Sequence, residues 1–128
     1  MKRILLSLLL LPSVAFASPG QKVTTSITSA ATNNATVVKA VNATIYSYSI
    51  SNTTATIKYV KFYNKATAPT CGTDVPVWRV AVPALSTVPF IGEIPLSTGL
   101  GYCIVTGATD ADNTAVAASD VYLNISYY

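Results

Sequence analysis

The apolar residues of this chain recur at every second position, in short runs broken by Gly, Pro, Asn and Ser. Val121, Leu123, Ile125 and Tyr127 alternate with polar neighbours, and Tyr46, Tyr48 and Ile50 alternate with Ser47, Ser49 and Ser51. Lys58, Val60 and Phe62 fall opposite Ile57, Tyr59, Lys61 and Tyr63. A period of two places alternate side chains on opposite faces of a pleated strand, and it cannot form the apolar stripe of a helix. Strands are expected over Thr36–Val41, Ala43–Ser51, Ala55–Asn64, Val75–Val82, Thr87–Ile91, Tyr102–Thr106 and Asp120–Tyr128. Pro76 argues for an edge or a strand start. About seven or eight such strands at this spacing point to an all-β fold, a two-sheet antiparallel β-sandwich of Ig-like or jelly-roll-like type.

The start of the chain has a different pattern. Lys2 and Arg3 precede an apolar run from Ile4 to Leu11, and Ala15-Phe16-Ala17 follows as a small-x-small cleavage pattern. Residues 1–17 therefore read as a secretory signal peptide. The run is too short to remain as a membrane span. Residues 18–34, rich in Ser, Thr, Ala and Asn, read as a flexible arm that holds one candidate strand at Val23, Thr25 and Ile27. Residues 35–128 form the expected sandwich domain. The expected location is outside the cytosol: periplasm, cell surface or medium.

Removal of the leader changes the charge. The whole chain carries a formal +3. The remainder keeps six basic residues (Lys22, Lys39, Lys58, Lys61, Lys65, Arg79) against five acidic ones (Asp74, Glu93, Asp110, Asp112, Asp120). That balance gives no basic footprint for phosphates, so no nucleic-acid partner is expected. Charged residues make up 10% of the chain, against about 25% in ordinary soluble domains. Solubility must then rest on hydroxyls and amides, which repel a neighbouring copy very little. Cys71 and Cys103 fit export, because an oxidising compartment favours a disulfide between them.

The residue types that are missing narrow the chemistry. The chain has no histidine, so neither a Ser-His-Asp nor a Cys-His arrangement can be built. No cofactor is expected. Glu93, flanked by Ile91, Gly92, Ile94 and Pro95, reads as a turn between short strands. Gly99-Leu100-Gly101 lacks the third glycine and the helix of a phosphate loop. Asp110-Ala111-Asp112-Asn113-Thr114 resembles the start of a calcium loop, but Ala115 and Val121 stand where an EF-hand needs Gly and Glu. Asp110 and Asp112 are thus weak metal candidates, and a solvated turn is the plainer reading. Asn34, Asn42, Asn52 and Asn124 each begin an Asn-x-Ser/Thr triplet, the pattern of a glycan acceptor. Trp78, Tyr127 and Tyr128 are the aromatic candidates for an interface or a glycan ligand, since such rings combine an apolar body with a polar tip.

The run Tyr59-Val60-Lys61-Phe62-Tyr63-Asn64-Lys65-Ala66-Thr67-Ala68-Pro69-Thr70, with Gly72-Thr73-Asp74-Val75-Pro76-Val77, resembles a recurrent run in small β-rich proteins of tailed bacteriophages and prophages. Ser97-Thr98-Gly99-Leu100-Gly101 and the stretch from Thr106 to Val121 match its later part. The similarity covers the chain from about Asn52 onward. It implies a virion-associated β-sandwich and carries over no active-site residues. The leader and the cysteine pair depart from that family and suit a life outside the cytosol.

These readings converge on an exported, non-enzymatic structural or surface protein that acts by self-association or by contact with a cell-surface or virion partner. Two other functions stand beside it. One is a chaperone-assembled pilus subunit or adhesin, suggested by the alternating final strand, Tyr127 and the N-terminal arm, although the cysteines lie late in the chain. The other is a carbohydrate-binding module using Trp78 or exposed tyrosines.

Overall fold

The computed structural model of the chain describes residues 22–128. The expected signal peptide lies outside the described residues. Eight strands follow in order: β1 (Val23–Thr28), β2 (Thr36–Lys39), β3 (Ala43–Asn52), β4 (Lys58–Asn64), β5 (Trp78–Val82), β6 (Ser86–Leu96), β7 (Leu100–Val105) and β8 (Val121–Tyr127). They form two four-stranded sheets, ordered β1-β8-β3-β6 and β2-β7-β4-β5. Every pairing is antiparallel. First pairs with last, second with seventh, third with sixth and fourth with fifth, so the chain is one long hairpin rolled into two layers. That is the jelly-roll arrangement, the second of the two sandwich types expected.

Period two explains the core. Val121, Leu123, Ile125 and Tyr127 of β8 are buried and face Ile45, Tyr48 and Ile50 of β3 on the same side of the sheet. The opposing sheet contributes Val60, Phe62, Val80, Val82, Leu100, Tyr102 and Ile104. Burying side chains of this size contributes roughly 1.5–3 kcal/mol each. Alternation also explains why the other face of β8 carries Tyr122 and Asn124 in solvent.

The candidate strand at Val23, Thr25 and Ile27 forms: Val23–Thr28 is a full edge strand paired residue for residue with β8, and the apolar Val23 and Ile27 share its core side. Two local expectations are corrected. Glu93 does not sit in a turn. β6 runs on to Leu96, and a register irregularity opposite Ile45–Ser47 absorbs Gly92 and Glu93. Its edge position tolerates Pro89 and Pro95, which a central strand would not. The same irregularity removes Tyr46 from the row of Tyr48 and Ile50. Tyr46 instead packs on Tyr128, with ring centroids 4.8 Å apart, beneath the Lys22 ammonium.

Candidate interaction surface

The two outer faces of the sandwich are built differently. On the sheet β2-β7-β4-β5 the outward row includes Tyr59, Lys61 and Tyr63, and loops 65–77 and 106–120 roof it. Cys71 and Cys103 form the expected disulfide, which ties the first loop to β7. Tyr63, Cys71, Cys103 and Val105 pack as a second apolar cluster under it. Lys61, 0% exposed, supports the second loop: its Nζ donates to the carbonyls of Thr109 and Asp112 at 2.5 and 3.1 Å. Burial pushes the Lys61 ammonium below its ordinary pKa, against the pull of the nearby Asp112 and Asp110 carboxylates. Where the two loops meet stands Gly72, at φ 85°, and a Cβ there would lie 2.7 Å from the Ala111 carbonyl oxygen.

The roof also uses up the acidic side chains singled out for metal. Asp110 accepts two bonds from Arg79, at 2.5 and 2.6 Å, which hold its carboxyl below the usual range. Asp112 accepts from the Gly107 amide and the Thr114 hydroxyl, at 2.8 and 2.9 Å. The loop is therefore braced as a turn by its own carboxylates, and no cluster of three metal-ligating side chains occurs among the described residues. Asp74 is likewise taken by Lys65 and the Thr70 amide.

The outer face of β1-β8-β3-β6 has no such cover among the described residues. Its four strands line up three rows. Thr24, Ser126, Ser47 and Ile91 form the first, and Ser26, Asn124, Ser49 and Pro89 the second. Thr28, Tyr122, Ser51 and Thr87 form the third. None of these side chains is charged at neutral pH. Neighbours bond one another along the rows: Thr24 with Ser126 at 2.9 Å, Ser26 to Asn124 at 2.6 Å, and Ser51 with Thr87 at 2.8 Å. Cross-strand pairs of this kind stiffen a sheet and keep its hydroxyls in register. Ile91 stands at the border of this grid, 92% exposed. A neutral, regular surface whose hydroxyls are in part already bonded to one another costs less to desolvate than a charged one and offers no charge repulsion to a like surface.

The aromatic candidates are dispersed. Tyr127 belongs to the core, 9% exposed, because it shares the parity of Leu123 and Ile125. Tyr128 is half-buried against Tyr46. Trp78 lies at the open side between edge strands β5 and β6, 39% exposed. Its indole N–H donates to the Tyr48 hydroxyl at 3.1 Å, and its ring leans on Phe90. Trp78 thus plugs the sandwich edge as much as it presents a ring. Tyr122, which was not singled out, stands in the grid; the alternation of β8 already put it opposite the core.

Two of the four glycan-type asparagines are committed to structure. The Asn52 side-chain amide donates to the carbonyls of Thr56, Val82 and Pro83. The Asn34 amide donates to those of Ala30 and Thr32. A shallow cleft of ≈ 380 Å³ lies at one end of the sandwich, between Asn42, Thr44, Asn64 and Ser97, with no titratable side chain lining it.

No protein-family model and no curated protein matches the chain. Among solved structures, it is similar to a protein of Bacillus endospore appendages, described as a novel family of disulfide-linked pili. That match has 17% identity and a TM-score of 0.44, covering 91% of this chain and 96% of the other. It is also similar to the Tobacco streak virus coat protein, at 12% identity and a TM-score of 0.34 over 88% and 90% of the two chains. A second structure of that coat protein, a dimer, gives 11% and 0.33 over 87% and 89%. Values this low carry nothing over to the function of this chain.

Proposed function

We propose that this chain is an exported building block, which works by contact with copies of itself or with a cell-surface or virion partner and turns over no substrate. The observation that carries the reading is the asymmetry of the two faces. One is roofed by two loops, a disulfide and the ion pair of Arg79 with Asp110. The other is an uncharged hydroxyl grid with Ile91 at its rim. A chain that uses Lys61, Arg79, Asp110 and Asp112 to brace one face, and leaves the three rows of the other without charge, with Lys22 and Glu93 at their border, is suited to contact there. The leader pattern, the cysteine pair and the resemblance to phage-associated β-proteins support an extracytosolic structural role. The pattern lacks the histidine and clustered carboxylates that common hydrolytic chemistry uses.

The test is sedimentation of the exported protein over a wide concentration range, beside Ser49→Glu at the middle of the grid. The wild type is expected to associate beyond a pair and the variant to lose that face-to-face association with an unchanged melting temperature. A wild type that stays monomeric and binds neither envelopes nor particles overturns the proposal.

A further inference from the structure

A sheet that ends in an unpaired strand exposes a row of main-chain donors and acceptors, and natural proteins guard such edges with prolines, bulges, charges or brevity. Three of the four edges here are guarded. β6 carries Pro89, Pro95 and a register irregularity. β2 has four residues and a register shift between Val37 and Lys39. β5 has five residues, with Pro83 immediately after it and Pro76 just before. The fourth edge is β1. Its six residues, Val-Thr-Thr-Ser-Ile-Thr, contain no proline, no charge and no bulge, and pair with β8 without a break. Among the described residues no strand lies on its other side.

A second feature points the same way. Val23 lies on the core side of β1, opposite Tyr127, yet is 45% exposed. Ile27, on the same side, is only partly buried. The sandwich therefore leaves apolar surface beside this edge that one more strand would cover.

We propose that β1 is a pairing edge for the β1 strand of a second copy, joined antiparallel about a two-fold axis; this rests on the self-assembly reading above. Pleat parity fixes the register. Residues directly opposite in an antiparallel pair point to the same face and share their hydrogen-bonding direction. The numbers of paired residues must then sum to an even value, and the axis must pass through a residue. With the axis at Thr25, Val23 meets the partner's Ile27 on the core side, and Thr24 meets the partner's Ser26 on the grid side. The apolar pair is covered, the hydroxyl rows continue across the junction, and Lys22 faces the partner's Thr28 with no like charge opposite. With the axis at Ser26, Val23 has no apolar partner. The two sheets become one of eight strands, with the bare grid running across both copies. A pairing of about five residues is small beside the roughly 1,200–2,000 Å² of stable interfaces. It is therefore expected to be concentration-dependent.

The test compares the exported wild type with two double variants by sedimentation equilibrium. Thr24→Lys with Ser26→Lys places like charges opposite each other across the axis and is expected to weaken association at least tenfold. Thr24→Lys with Ser26→Glu places Lys opposite Glu twice and is expected to restore it. Circular dichroism of all three, expected to be equal, excludes misfolding as the cause. If both variants weaken association alike, or neither does, the β1 pairing is wrong while assembly through another surface stands. If the wild type does not associate at any concentration, both this pairing and self-assembly fall.

Discussion

The Lys61 ammonium, on the outward face of β4, donates to the main-chain carbonyl of Asp112 at 3.1 Å, with the whole residue screened from solvent. A buried ammonium is costly unless its donors are used. Here they hold down the loop that also carries Asp110, the partner of Arg79. The Lys61 bond is thus a latch for half of the roof. Lys61→Met keeps most of the stem and removes the donors. Bonds from charged donors contribute about 1.5–3 kcal/mol. Loss of the buried charge offsets much of that globally. The melting temperature should move little, while amide exchange at Gly107 should quicken roughly tenfold or more. Unchanged exchange would show that the loop is held by other means.

The Cys71–Cys103 bridge closes a separation of 32 residues. In the loop-entropy model this stabilises the fold by roughly 3–4 kcal/mol. Replacing both cysteines by serine should lower the melting temperature by roughly 12 °C or more, at about 4–8 °C per kcal/mol for a domain this small. Calorimetry of the two proteins checks it; a drop of only a few degrees contradicts it.

Tyr63 is 1% exposed and its hydroxyl has no hydrogen-bond partner among the described residues. Burial, then the Asp110 and Asp74 charges, raise its pKa. An unsatisfied buried hydroxyl costs about 1–3 kcal/mol. Tyr63→Phe should therefore raise stability by about 1 kcal/mol in urea unfolding. A loss of stability would mean that the hydroxyl is satisfied in solution.

The sandwich, its strand count and the disulfide were legible because they follow from alternation and from two cysteines. The jelly-roll pairing was not, since which strand crosses to which sheet depends on contacts across the whole chain. The end of β6 was obscured because Gly92 and Pro95 read as turn residues, and only its edge position lets them stay in a strand. Tyr127 reads as an interface candidate from its place at the end of the last strand, although its parity with Leu123 and Ile125 turns it inward. The grid is half legible: alternation puts Ser47, Ser49 and Ser51 on one face, but their alignment with Asn124 and Pro89 needs the register.

Acid should weaken the roof. The Lys65 bond and the Thr70 amide hold Asp74 below the usual carboxylate range, and Arg79 does the same for Asp110. Between the ordinary value of about 3.9 and the folded ones, the unfolded chain binds protons that the folded chain does not. Stability contributed by these pairs is therefore present above about pH 4 and is lost as pH falls through the folded values. Both pairs are exposed, so the effect is modest. Melting temperatures at pH 6 and pH 2.5 should differ less in Asp74→Asn with Asp110→Asn than in the wild type. Equal differences would contradict the assignment.

Hydroxyl-radical footprinting of dilute and concentrated exported protein tests most directly whether the unroofed grid is the working surface. Ile91 and Tyr122 report on the grid, and Val75 and Leu85, both exposed, lie off it. The expected result is loss of reactivity at Ile91 and Tyr122 on concentration, with Val75 and Leu85 unchanged. Protection at Val75 and Leu85 while Ile91 stays reactive, or no protection anywhere, would contradict the account.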